Sequence, residues 1–350
     1  MKIITIAREF SRSTIITSGV CVLLIICLII GATYFSFDSE PMTSPAAEVN
    51  EGKKYIKWVD FGVSTAAMRQ AMKYDIDSYS QSVKISWIDL LAIAACKNGG
   101  RFPDKQIDII DQSAKRIKSG EKAESIAESE YFSYYKQSYT AVLGGFLGEY
   151  KREEYDESSV TKKSIKTGYG LVAYSPIAGG YGYSHSDDFG NSRSYGFKRT
   201  HLGNDLMSEV GTPVISVEDG IVECMGWNQY GGWRIGIRSL DYKRYYYYAH
   251  LRRGHPYVNT LKEGMTVKAG DVIGYVGMTG YSANEDYNGM QAPHLHFGIQ
   301  LIFDESQKDG SNEIWIDVYQ IVRLLSSHKS YVSKDEQTKD YIRKYKVFSP

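Results

Sequence analysis

The chain has 350 residues, enough for more than one domain at roughly 100–200 residues each and ample for a buried core. Lys and Arg total 41 and so do Asp and Glu. With a formal net charge of zero there is no global positive field to attract phosphates, which argues against a nucleic-acid partner. Hydrophobic content of 43% and charged content of 23% exclude a mostly disordered chain. Twenty-nine tyrosines and 33 glycines against 8 prolines point to a β-rich part with many tight turns. The cysteines, Cys21, Cys27, Cys96 and Cys224, are spaced as neither a disulfide framework nor a paired-cysteine zinc site.

From Ser13 through Phe37 no residue is charged. A bilayer core about 30 Å thick takes roughly 20 apolar residues of helix, so this stretch is long enough to span it. Lys2, Arg8 and Arg12 precede it with Glu9 as the only acid, and Asp38 and Glu40 follow. The positive-inside bias therefore predicts a single-pass anchor over residues 1–37, N-terminus in the cytosol and everything after residue 38 outside the cytoplasmic membrane. A cleaved signal peptide is the rival, but its apolar region normally runs about 7–15 residues.

Residues 38–54, with Pro41, Ser44 and Pro45, read as a linker. Residues 55–150 have helical texture. Trp87, Leu90, Leu91 and Ile93-Ala-Ala follow the i, i+3, i+4 spacing and stop at Asn98-Gly-Gly100. Ile107, Ile109, Ile110, Ala114 and Ile117 predict a second helix closed by Gly120, and Tyr131 to Tyr150 a third. Residues 151–168 are polar and charged and are expected to be a second linker. From residue 169 the chain turns to short apolar runs between glycines: Val214-Ile-Ser-Val217, Gly220-Ile-Val222, Trp233-Arg-Ile-Gly-Ile237, Arg244 to His250 and Val272-Ile-Gly-Tyr-Val276. These predict an antiparallel β domain over 169–328. Residues 314–327 suit a closing helix, and 329–350 a polar tail. The fold class expected is multidomain α+β.

Chemistry concentrates in three places: His201-Leu-Gly-Asn-Asp205, Tyr248-Ala-His-Leu251 and Pro293-His-Leu-His-Phe297. On a strand alternate side chains face the same way, so His294 and His296 point into one cleft. Two neutral imidazoles and one carboxylate suit zinc and leave its fourth position open for water, whose pKa bound zinc brings to about 7. Each piece alone is weak. Their order within a specific glycine grammar is not: Arg199-Thr-His-Leu-Gly-Asn-Asp205, Gly211-Thr-Pro-Val214, Asp219-Gly-Ile-Val222, Gly264 to Gly274, Gly277-Met-Thr-Gly280 and Pro293-His-Leu-His-Phe-Gly298.

That series, over residues 170–303, resembles the LytM/lysostaphin family of zinc endopeptidases, peptidase family M23. The resemblance implies a mainly antiparallel β core with a groove walled by loops. It implies one zinc ion per chain, with His201, Asp205 and His296 as ligands, and His250 and His294 as the non-ligand histidines that serve as general base or steady the oxyanion. The substrate class it implies is the peptide part of bacterial peptidoglycan, stem or cross-bridge. An anchored, cysteine-poor wall hydrolase fits a Gram-positive cell surface, with an envelope-complex protein as a possible further partner. The other reading is a catalytically silent LytM scaffold that binds a wall hydrolase or envelope protein; silent members have typically lost ligands, whereas all five positions are present here. A biotinyl-type carrier hairpin at Gly264–Gly280 leaves the histidines unexplained and is set aside.

Two departures carry expectations. The segment between Gly280 and Pro293 is longer than the usual family link and acidic at Glu285 and Asp286, which are expected beside the groove. The segment before His201 is long and polar, and Asn191 is a candidate for an upstream asparagine that blocks the metal. Arg199 is expected either to orient Asp205 or to meet a substrate carboxylate. His185, His255 and His328 match no motif position. Residues 87–102 resemble the opening of soluble lytic transglycosylases, but Lys97 and Asn98 stand where the catalytic acid belongs, so the helices are read as a spacer or binding module.

Overall fold

The computed structural model describes residues 55–102, 106–155, 163–195 and 197–348. The anchor expected over 1–37 and the linker over 38–54 lie outside these. No helix among the described residues is long and apolar enough to cross a membrane.

Five helices come first: α1 (Thr65–Ser78), α2 (Trp87–Asn98), α3 (Gln106–Lys118), α4 (Ala123–Ala127) and α5 (Phe132–Leu143). Ser64 caps α1 by accepting from the Ala67 amide, and Ser86 caps α2 by accepting from Asp89. Gly99, in the left-handed region at φ 58°, ends α2 where the Asn-Gly-Gly run predicts. Every residue from Trp87 to Ala95 except Asp89 is buried, because α2 is apolar nearly all round and the other helices enclose it. The third helix stops at Leu143 rather than continuing to Tyr150. The chain passes Gly144-Gly145 and enters strand β1 (Leu147–Tyr155), which pairs with β2 (Lys163–Leu171).

Residues 151–155 and 163–168 are therefore paired strands and not a linker. The tail expected over 329–350 also holds strands: β14 (Val332–Lys334) pairs with β15 (Tyr341–Arg343), and β16 (Val347–Phe348) pairs with β1. The closing helix is shorter than its apolar run. Ile314–Ile316 forms β13 alongside the strand His294–Leu301, and α6 (Tyr319–Leu325) begins after the Asp317 carboxylate accepts from the Tyr319 amide at 2.8 Å.

Between these lie β3 (Ser192–Tyr195), β4 (Phe197–Thr200), β5 (Asn204–Met207), β6 (Pro213–Ile215), β7 (Gly220–Asn228), β8 (Gly232–Ser239), β9 (Arg244–Ala249), β10 (Thr266–Val267), β11 (Val272–Tyr275) and β12 (His294–Leu301). The main sheet is antiparallel in the order β10-β7-β8-β9-β12-β13, with β5 also on β12. Its inward face (Val222, Ile235, Ile237, Tyr246, Tyr248, Phe297) belongs to one apolar core that also includes Leu90, Tyr139 and Phe146 from the helical side. The described residues fall within one compact unit, so the helices and the sheet are not separate modules.

A buried ion pair stitches them together. Arg244 on β9 is 1% exposed; its Nε donates to Glu218 Oε2 at 2.8 Å and its Nη1 to the carbonyl of Ala141 at the end of α5 at 2.7 Å. The Tyr246 hydroxyl donates to the same carboxylate. Burial opposes the guanidinium's charge, but Glu218 outweighs it and raises the pKa above the ordinary arginine value. A Cβ on Gly145 would overlap Glu218 Oε1, which is why the chain turns there on glycine. Thr65 Oγ1 adds a bond to the carbonyl of Gln320 at 2.9 Å.

Removing one partner of such a pair leaves a buried charge alone, at about 3–5 kcal/mol. Arg244→Met is expected to lower unfolding stability by about that amount in a urea titration, with helical and tyrosine signals melting together. A loss under about 1 kcal/mol, the value of an exposed pair, would contradict this reading.

Candidate metal centre

Pairing register assembles the centre. On β12, His296 lies opposite Asp205 of β5 on one side and Ala249 of β9, the neighbour of His250, on the other. His201 enters from the turn before β5. The turn's Gly203 is obligatory: a Cβ there would come within 2.7 Å of the His296 ring and of the Phe297 carbonyl. The small residue in His-Leu-Gly-Asn-Asp lets the backbone lie against the back of a ligand ring.

Three donor atoms converge. His201 Nε2 is 2.9 Å from both Asp205 Oδ1 and His296 Nδ1, and the last two are 3.1 Å apart. Among the described residues this is the one cluster of His, Cys, Asp and Glu whose ligand atoms gather closely enough for a metal ion. Two imidazole nitrogens and a carboxylate oxygen form a donor set that suits a divalent transition metal.

The surroundings fix ring orientation. Nδ1–H of His201 donates to the Asp188 carbonyl at 3.0 Å, so Nε2 carries the lone pair toward the cluster. Asp188 is held by Asn204, fully buried, whose Nδ2 donates to Asp188 Oδ1 at 2.8 Å and to the Ser186 carbonyl at 2.6 Å. Arg193 Nη2 bridges Asp188 Oδ2 at 2.9 Å and Asp205 Oδ2 at 3.3 Å. His250 adopts φ 59° and sends Nδ1–H to the Thr279 carbonyl at 2.8 Å; His294 sends its own to Ala292 at 2.8 Å. Both thus present a free Nε2. That of His294 is buried, has no hydrogen-bond partner among the described residues, and lies 3.8 Å from Asp205 Oδ1. The His250 and His294 rings are 4.8 Å apart.

Electrostatics separate the roles. Burial would raise the Asp205 pKa, but hydrogen bonds and charge from His201 and His296 outweigh it and hold the carboxyl far below the usual range. Burial, reinforced by His294 and His296, pushes His250 well below the ordinary histidine value, so it is neutral, with its lone pair at Nε2. Burial also lowers His296, with Asp205 partly opposing.

All five motif positions meet here; the remaining expectations divide. Arg199 on β4 lies over the ring of Tyr281, which is 6.0 Å from the His250 ring, and has no contact with Asp205; Arg193 orients that carboxylate instead. Asp286 Oδ1 accepts from Trp233 Nε1 and the Gly254 amide, both at 2.8 Å, so it anchors its loop. Glu285 is exposed on that loop. Asn191 does not reach the ligands: its side chain is exposed, and its carbonyl accepts from the His201 amide at 2.9 Å. His185 bonds Asn204 at 2.6 Å, His255 bonds Asp340 at 2.9 Å and His328 donates to the Ala173 carbonyl at 2.7 Å, each in a structural role. Asp188 and Arg193 were missed by the sequence reading. Their only signal was the long polar run before His201.

Gly203→Ala displaces His296 without replacing any ligand residue. Its affinity for a divalent metal, read by competition with a chromophoric chelator, is expected to fall roughly 10- to 100-fold, the range for lost ligand support. Unchanged affinity would show that the close approach at Gly203 does not position the ring.

Comparison with known proteins agrees with the geometry. The family described as Peptidase family M23 matches residues 199–309. The chain is 42% identical over 117 residues to the L-Ala--D-Glu endopeptidase of Bacillus subtilis (strain 168), covering 33% of this chain and 34% of that protein. It is 39% identical over 98 residues to lysostaphin of Staphylococcus simulans, 28% of this chain and 17% of that one. The match thus spans about a third or less of these relatives' length. Among solved structures, one described as a putative glycyl-glycine endopeptidase lytM from Ruminococcus gnavus is 27% identical with a TM-score of 0.49, covering 77% of this chain and 90% of that chain. Residues 199–309 of this chain are a peptidase family M23 domain, homologous to the LytM/lysostaphin-type endopeptidases.

Proposed function

We propose that this protein is a zinc endopeptidase that hydrolyses peptide stems or cross-bridges of bacterial peptidoglycan, held by its N-terminal segment at the outer face of the cytoplasmic membrane. The observation that carries the reading is the convergence of His201, Asp205 and His296 on one point, with two further histidines aimed at it through free Nε2 atoms. The homologous endopeptidases support the substrate class.

His201, Asp205 and His296 hold the metal. Zinc bound there supplies Lewis acidity to polarise a carbonyl and lowers the pKa of coordinated water to near 7. The chain's own groups do the rest. His250, kept neutral by burial, accepts a proton at Nε2 from the attacking water; Thr279 fixes the ring and tautomer for that task. His294 directs Nε2 toward the same space, and protonated it donates to the developing oxyanion. Either histidine is within ring-contact distance of the other, so the proton has a short route to the leaving amine. A silent scaffold would tolerate loss of these groups, yet each has its tautomer set by a backbone carbonyl.

Mass spectrometry of purified peptidoglycan incubated with the protein is expected to reveal new peptide amines that vanish with a chelator. His250→Ala is expected to retain its metal and to cleave about 10²- to 10⁴-fold more slowly, the usual contribution of an acid–base group. Stoichiometric metal with no new amines from any wall type would sink the endopeptidase reading. The full chain is expected to sediment with membranes and to resist carbonate extraction, while a variant beginning at residue 39 stays in the supernatant; a soluble full chain would remove the anchor from the account.

A further inference from the structure

Arg199 stands two residues before the ligand His201, and its guanidinium is clamped between two aromatic rings. Its centre lies 4.4 Å from the centroid of Tyr281 and 5.1 Å from that of Tyr230. Tyr281 in turn is 6.0 Å, ring to ring, from His250. The clamp places a fixed positive charge one aromatic ring away from a catalytic histidine.

That charge is not spent on the protein. The carboxylate nearest in sequence, Asp205, is engaged by His201, His296 and Arg193. Among the described residues Arg199 has no acidic partner and no hydrogen-bond acceptor, and its Nε is buried without one. A buried Nε–H left unpaired costs free energy, and an acceptor arriving from outside would satisfy it. The aromatic faces compensate part of the desolvation and hold the planar fork in one orientation, which reduces the entropy lost when a planar anion docks on it. The ligand class that fits is a carboxylate, which arginine takes bidentately.

Building on the endopeptidase reading, we infer that Arg199, held between Tyr230 and Tyr281, is a substrate-binding residue that recognises a free carboxylate flanking the scissile bond. The preferred substrate is then a stem peptide with a free backbone carboxylate, such as a γ-linked glutamate leaves, rather than an uncharged oligoglycine bridge.

The test pairs two muropeptides carrying L-Ala-γ-D-Glu-L-Lys, identical except that the glutamate α-carboxylate is free in one and amidated in the other. Binding is measured on the chelator-treated full chain, and cleavage separately on the metal-loaded full chain. Wild type is expected to bind the free acid roughly 10- to 150-fold more tightly than the amide, the range for a hydrogen-bonded charged group. Arg199→Gln is expected to bring that ratio close to one, and Arg199→Lys to restore part of it. Pentaglycine is expected to bind no better than the amide. Equal binding of acid and amide by wild type, no binding of either, or a parallel loss of both in Arg199→Gln would overturn the inference. A preserved acid preference in binding with no cleavage would leave the carboxylate site standing and defeat the endopeptidase reading instead.

Discussion

The structure of the centre depends on the position of one strand. β12 pairs with β5 over its first half, with β13 over its second, and with β9 along the other edge. Antiparallel register has a period of two, so a one-residue slip would turn His294 and His296 away from the cleft and expose Leu295 and Phe297. Leu295 and Phe297 are fully buried in the core. The apolar half of the strand therefore locks the polar half, and His296 has no freedom to face anything but Asp205. Gly203 and Gly298 let neighbouring chain pack against β12; a Cβ on Gly298 would come within 2.7 Å of the Leu202 carbonyl.

A second constraint follows from burial. Several imidazoles in a small volume cannot all be charged, and a buried ring must place its N–H on an acceptor. The fold meets this with backbone. Carbonyls of Asp188, Thr279 and Ala292 receive Nδ1–H of His201, His250 and His294, leaving three Nε2 lone pairs on one side of the rings. Backbone acceptors do not titrate, so each Nδ1–H has a fixed partner. The one carboxylate in the cluster stays ionised because its imidazole neighbours outweigh its burial. Arg193 supports it from the far side.

Legibility in the sequence tracked periodicity and spacing. α2 was visible because its apolar residues recur at helical spacing and stop at Asn98-Gly-Gly100. The five histidine and aspartate positions were visible because their spacing is tied to the glycines that shape the turns. What escaped has a physical reason. β2 is exposed from Ser164 to Gly168 and β1 mixes exposed with partly buried residues, so neither shows a clean apolar alternation, and Lys151 finds its partner Phe348 almost two hundred positions away. β13 was absorbed into a helix because Ile314-Trp-Ile-Asp-Val-Tyr-Gln-Ile-Val322 is one apolar-rich run that fits both periods. The loop-anchoring role of Asp286 escaped because an acidic loop residue near a groove does not reveal its partners; Trp233 and Gly254 are distant in sequence. Arg193 and Asp188 act through a cleft formed only when the loop before His201 folds back.

The helical region is part of this architecture rather than an appendage. Arg244 ties α5 to β9, the strand that leads directly into His250, so helix packing and the geometry of the histidine cluster share a support. The central claim is that one metal ion sits on His201, Asp205 and His296. X-ray absorption at the zinc edge on the purified full chain measures this directly. The account predicts one zinc per chain with only nitrogen and oxygen neighbours at about 2.0–2.1 Å, two of them imidazole, and one imidazole fewer in His296→Ala. Sulfur in the coordination sphere, or a spectrum unchanged by that substitution, would contradict it.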